Sequence, residues 1–123
     1  MSASDSLFKI ASSSHLDVSF EGIQTSNFGR RALIKITARD AVGEAWILAR
    51  KLTNRTTLSY SKKTIANAHK GAEAGVNRQR NTVSYIGQQP SRRRRNKYEA
   101  ATARLAHMER GLTFLNTVKA DFG

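Results

Sequence analysis

Polar and apolar residues alternate twice in the first third of the chain. Leu16, Val18 and Phe20 are separated by Asp17, Ser19 and Glu21, the period of a half-buried strand. Gly22 and residues 24–29 supply turn residues. Ala32, Ile34, Ile36 and Ala38 then alternate with Leu33, Lys35, Thr37 and Arg39, which predicts a second strand. Asp40-Ala41-Val42-Gly43 reads as a four-residue loop, with Trp46, Leu48 and Leu52 on a return strand. The competing reading is a helix capped by Asp40, whose face would carry Val42, Ala45, Trp46, Ala49 and Leu52. The hairpin is preferred because the loop joins two apolar runs of similar length. Residues 56–60 have strand composition.

The period changes after residue 60. Ser61 is placed to cap a helix starting at Lys62, and Ile65, Ala68 or His69, and Ala72 give it one narrow apolar face. Gly71 and Gly75 predict its end near residue 75. Val83, Tyr85 and Ile86 suggest a short strand, and Pro90 marks a break. Tyr98, Ala101, Leu105, Met108, Leu112, Leu115 and Phe122 then fall at helical spacing, predicting an amphipathic helix from about residue 91 to 119. Its thin stripe needs a partner surface, either this chain's sheet or a homodimer formed through Tyr98, Leu105, Met108, Leu112 and Leu115. The fold class expected is α+β: a small antiparallel sheet of three or four strands, one middle helix and one long C-terminal helix. Residues 1–15 are expected to be a flexible segment, 16–87 the core, 88–97 a basic linker and helix head, and 98–123 the amphipathic helix.

Charge adds a second division. The 123 residues hold 21 Lys and Arg against 9 Asp and Glu, a net charge of +12. Residues 1–60 carry +3 of it and residues 61–123 carry +9. The first half builds the core and the second carries the charge. With no cysteine, disulfides, thiolate catalysis and Cys-ligated metals are excluded. No apolar run approaches the ~20 residues of a membrane span. The opening residues lack the basic-then-apolar order of a secretory signal. An intracellular protein (cytoplasm, nucleoid, or nucleus in a eukaryotic host) or a virion component is expected.

The densest feature is Arg92-Arg93-Arg94-Arg95-Asn96-Lys97, five cations in six residues. Like charges repel there, and cations at a helix start oppose the helix dipole. Phosphate relieves both, since the guanidinium fork matches its oxygens. Such a run orders on RNA or DNA, and its composition is also that of a nuclear-localisation run. Lys62, Lys63, Arg78 and Arg80 extend the footprint, while Arg30-Arg31 and Arg50-Lys51 read first as strand flanks. Tyr60, Tyr85 and Tyr98 lie near basic residues and are candidate stacking platforms, with packing the first use of Tyr98.

Catalytic signals are sparse. His15, His69 and His107 lack a metal-binding spacing, and Gly71-Ala-Glu-Ala-Gly75 lacks the Gly-Lys-Ser/Thr ending of a phosphate loop. No cofactor, metal or catalytic residue is assigned.

The order of strands followed by Ser61-Lys62-Lys63 at a helix start resembles the second half of double-stranded-RNA-binding domains. That family presents lysines at such a helix start to phosphates. The resemblance covers residues 32–75. It departs from the family in lacking an opening helix and in having Thr57-Leu58-Ser59-Tyr60 where glycines are expected. Three-stranded DNA-reading domains backed by one helix fit the same order. The expected function is a non-catalytic nucleic-acid-binding protein, a regulator of viral, phage or mobile-element type. RNA is preferred over duplex DNA because arginine runs suit deformed RNA and no DNA-reading helix motif is evident. The alternatives are a coat, packaging or ribonucleoprotein component, and an inhibitor of an acidic protein.

Overall fold

A computed structural model describes residues 3–27, 29–52, 55–88 and 95–122. Three antiparallel strands form a meander: β1 (Leu16–Ser26), β2 (Gly29–Ala38) and β3 (Arg55–Ser61), in the spatial order β1-β2-β3. The fold is α+β, as expected. The alternation seen in the sequence sets the register. Val18 pairs with Ile36, Phe20 with Ile34 and Ile34 with Leu58, so the apolar residues of all three strands share one face. Ala32, Ile34 and Ile36 are fully buried there. β1 runs longer than the turn residues suggested. Gly22 marks an irregularity in its pairing with β2, at a φ of 108° that favours glycine, and the strand continues to Ser26.

Four helices accompany the sheet: α1 (Ala3–Ser12), α2 (Ala41–Ala49), α3 (Lys62–Gly87) and α4 (Arg95–Phe122). The segment expected to be flexible holds α1. Leu7, Ile10 and Ala11, three and four apart, are buried in the core. α1 owes its order to docking, since ten residues are too few for a stable isolated helix.

The return strand expected around Trp46 is instead α2. Asp40 is its N-cap: Oδ1 accepts from the Gly43 N–H at 2.9 Å. A helix forms, but on another face than the helical reading named: Val42, Ala45 and Ala49 are exposed, while Ile47 enters the core fully with Trp46 beside it. A hydrogen bond of 2.7 Å between Asp40 Oδ2 and His15 Nδ1 ties α2 to the start of β1. The His15 side chain, and then the Gly43 N–H, hold the Asp40 carboxyl below its usual value of 3.8. A depressed native pKa stabilises the fold above that value and ceases to do so as pH falls through the native one. Asp40→Asn keeps a capping oxygen and removes the titration. The stability gap between the two chains, followed by urea melts from pH 6 to pH 2, should therefore narrow below about pH 4. A constant gap would show that Asp40 adds no pH dependence.

α3 begins where β3 ends. Ser61 accepts the Thr64 N–H at 3.2 Å, the predicted cap. Ser61→Ala should cost about 1 kcal/mol, readable by denaturant melting, and an unchanged midpoint would show the cap to be idle. The helix does not stop near residue 75. It runs to Gly87, and Val83, Tyr85 and Ile86 are helical rather than a strand. Gly75 faces inward, where an added Cβ would lie 3.2 Å from Met108 Cε and 3.4 Å from Phe8. It serves close packing, not termination. Ile65, Ala68, Ala72 and Val76 pack into the core, with Ile34, Ile36 and Tyr60 among its other members.

α4 returns along α3. Leu115, Val118 and Phe122 are buried, and Leu112 packs against the core. The stripe thus lies on this chain's own core. A homodimer through Leu115 would require that side chain to leave a fully buried position, while Tyr98 keeps 42% exposure. His69 clasps the two helices, with its Nδ1 3.1 Å from Glu73 Oε1 and its Nε2 against the Asn116 side chain. Among the described residues, no helix is long and apolar enough to cross a membrane.

Candidate nucleic-acid interface

The fold spreads the basic residues along α3, from Lys62 and Lys63 at its start to Arg78 and Arg80, about two turns before its end. At one end the β1–β2 hairpin, the end of β3 and the C-terminus of α4 come together. Lys62 and Lys63 open α3 there and both are exposed. Arg31 pairs in register with Ser61 and donates to Ser59, to Oγ at 3.0 Å and to the carbonyl at 2.9 Å. Arg30 lies over the Phe122 ring, 5.5 Å from its centroid. These two arginines, read first as strand flanks, are held beside the lysines by named partners.

The other end is the turn of the α3–α4 hairpin. Arg78 and Arg80 lie on α3; Arg95 and Lys97 start α4, near the end of α3, where Tyr98 approaches Gly87. Seventeen residues separate Lys63 from Arg80, about 25 Å of helix. One compact footprint is therefore not formed, and the expected cations fall into two groups. Arg92, Arg93 and Arg94 lie outside the described residues.

Local pairing sorts the cations. Arg80 meets Glu109 at 3.3 Å and Arg95 meets Glu99 at 3.6 Å, but both arginine side chains stay more than half exposed. Exposed pairs of this kind hold a side chain weakly. Among the described residues Lys62, Lys63, Lys70, Arg78 and Lys97 enter no ion pair. Neither α3 nor α4 has an acid in its first turn, and α3 has no base in its last. α3 thus carries its opening lysines at the end that the dipole disfavours, and α4 has Arg95 and Lys97 at that end with Lys119 in its last turn.

The aromatic candidates separate. Tyr60 is buried, and burial pushes its hydroxyl above the usual value of 10.0. It is a core residue, not a platform. Tyr85 is 62% exposed and stands with Tyr98 at the hairpin turn. His15, which bonds Asp40, and His107 border the same groove of about 930 Å³ between α1 and α4, while His69 clasps α3 to α4. No group of His, Asp or Glu among the described residues is arranged to hold a metal ion.

Sequence reasoning missed Lys70, Asn67 and Asn77; Asn81 was legible beside Arg78 and Arg80, where Asn with Arg suits base edges as well as phosphates. All four are exposed on α3. The signal of the first three was a polar residue at every third or fourth position, hidden by ending the helix at Gly75. Compared with known protein families, curated proteins and solved structures, the chain matches none.

Proposed function

We propose that this protein binds nucleic acid without catalysis, its exposed cations holding phosphates at two places along α3. The observation that carries the reading is the start of each long helix. Lys62 and Lys63 open α3, Arg95 and Lys97 open α4, and no acid stands in either first turn. Each unfavourable cation–dipole contact is of order 0.3–1 kcal/mol, and an anion bound there reverses it. Arg92, Arg93 and Arg94 immediately precede Arg95 in the sequence. Phosphates repeated along a backbone satisfy both ends of α3 at once, as a single small anion does not.

The reading is tested by titrating duplex DNA, duplex RNA and single strands over a salt series. The logarithm of the affinity should fall steeply and linearly with that of the salt concentration, by about 0.9 for each duplex phosphate contacted. A flat series, or no binding at low salt, would overturn it and favour an acidic protein partner. Packaging and regulation share this electrostatics and are separated by light scattering of the complex, where a large assembly marks packaging. The sequence-based preference for RNA is decided by comparing the RNA and DNA arms of that titration.

A further inference from the structure

α3 has a solvent face whose composition differs from that of the rest of the surface. Its buried side carries Ile65, Ala68, Ala72 and Val76. At 100° per residue, Lys63, Asn67, Lys70, Asn77, Arg78 and Asn81 line the opposite side as one ridge, and all six are exposed. The only acid of the helix, Glu73, is turned aside to His69. Ala74 lies in the middle of the ridge, and beside it Gly71 has no atom within 4 Å of where a Cβ would stand. The centre of the ridge is therefore low, which lets a second surface approach the helix backbone.

Resting on the nucleic-acid reading above, we propose that this ridge lies in the major groove of duplex DNA and reads base edges there. Three observations favour that occupant. The first is charge: the ridge has three cations and no carboxylate, the complement of a polyanion. The second is chemistry. Asn presents an amide that donates and accepts side by side, the pair offered by adenine N6 and N7, and Arg matches guanine O6 and N7. Three asparagines and one arginine on a single face supply donors and acceptors where simple phosphate neutralisation would need only lysines.

The third is size. An α-helix with its side chains is about 10–12 Å across, and the major groove of B-form DNA is about 12 Å wide. Residues 67–78 span about 16 Å, the length of about five base pairs. Asn81 lies one turn beyond Asn77, and Lys63, before the stretch, falls where a straight helix leaves the curving groove and meets the backbone. Tyr85 continues the ridge past Asn81 and is 62% exposed, beside the hairpin turn that bears Arg95 and Lys97. The major groove of duplex RNA is deep and narrow and does not admit such a helix.

The test uses the whole chain and a pool of random 24-mer duplexes, enriched by repeated binding selection. A preferred DNA sequence should emerge, and the same sequence as duplex RNA should bind at least tenfold more weakly. Methylation of guanine N7, which lies in the major groove, should interfere with binding. In the triple variant Asn67→Ala, Asn77→Ala, Asn81→Ala the discrimination between selected and random DNA should fall about tenfold or more for each asparagine that reads a base. Its salt slope should stay unchanged, because no charge is removed. Alanine is the better helix former, so these exposed changes leave folding intact. If no sequence emerges, if RNA binds equally well, if N7 methylation has no effect, or if the triple variant keeps its discrimination, the docking of α3 is wrong while phosphate binding stands. If neither DNA nor RNA binds at low salt, both readings fall.

Discussion

Gly43→Ala is expected to destabilise the protein by about 3 kcal/mol, although alanine is the better helix former. Gly43 sits in the first turn of α2, where the helix crosses the start of β1. A Cβ built there lies 2.2 Å from the His15 carbonyl oxygen, 3.2 Å from its carbon and 3.3 Å from Leu16 Cδ2. The obstructing atom is backbone and cannot rotate away. It also accepts the Arg39 N–H at 2.9 Å, so moving it loosens the end of the β1–β2 ladder. Shifting α2 instead withdraws Ile47 from the core and strains the Asp40 cap. Overpacking against such atoms belongs at the upper end of the usual range of about 1–3 kcal/mol.

The matching control is Gly71→Ala, where nothing lies within 4 Å and the helix gains up to about 1 kcal/mol. The two substitutions are chemically identical and should have opposite signs. Denaturant melting reads the difference, and thermal melting should place the Gly43 variant about 10 °C lower. Equal midpoints for the two variants would falsify the close-approach account.

The same glycines explain what was legible in the sequence. Strands β1 and β2 could be read because alternation is local: Leu16, Val18 and Phe20, or Ala32, Ile34 and Ile36, reveal their shared face without knowledge of any neighbour, while β3 was legible from its composition. The long C-terminal helix was legible because its spacing is local too. Glycine has no such local meaning. Gly43 looked like the close of a turn and is the contact point of α2 with β1. Gly75 looked like a stop and is the contact point of α3 with Phe8 and Met108. In both cases the reason for the glycine lies on another element, distant in sequence.

α1 was missed differently. Its apolar spacing is present in Leu7, Ile10 and Ala11, but serines among them lower its intrinsic helix preference, and its stability comes from the surface it covers. The basic residues were legible as charge and not as geometry. Nothing local says that Lys63 and Arg80 stand about 25 Å apart on one straight helix once α3 is known to continue past Gly75.

That separation gives the second large effect, on binding. Replacing Arg92, Arg93, Arg94, Arg95 and Lys97 with alanine should lower the salt slope by up to about 4.5 on duplex nucleic acid, at about 0.9 for each phosphate no longer held. Replacing Lys62 and Lys63 should lower it by up to about two. Sites this far apart, with no shared partner, act independently. The reductions in slope should then add in the combined variant, and the reductions in binding free energy should add as well. Folding is not at risk in the described part of these sets. Lys62, Lys63, Arg95 and Lys97 are exposed, and the Arg95–Glu99 pair is a surface one. Circular dichroism and melting should confirm this by matching the parent chain. If the lysine variant keeps the full slope while the arginine variant loses it, only the hairpin turn grips phosphate, and α3 then meets nucleic acid at one end. If instead both sets lower the slope and the combined reduction is the sum, a polymer that reaches across the length of α3 is the ligand, because no small anion spans about 25 Å. Binding that shows the same slope in all three variants would place the contact on neither end and defeat the assignment of these residues.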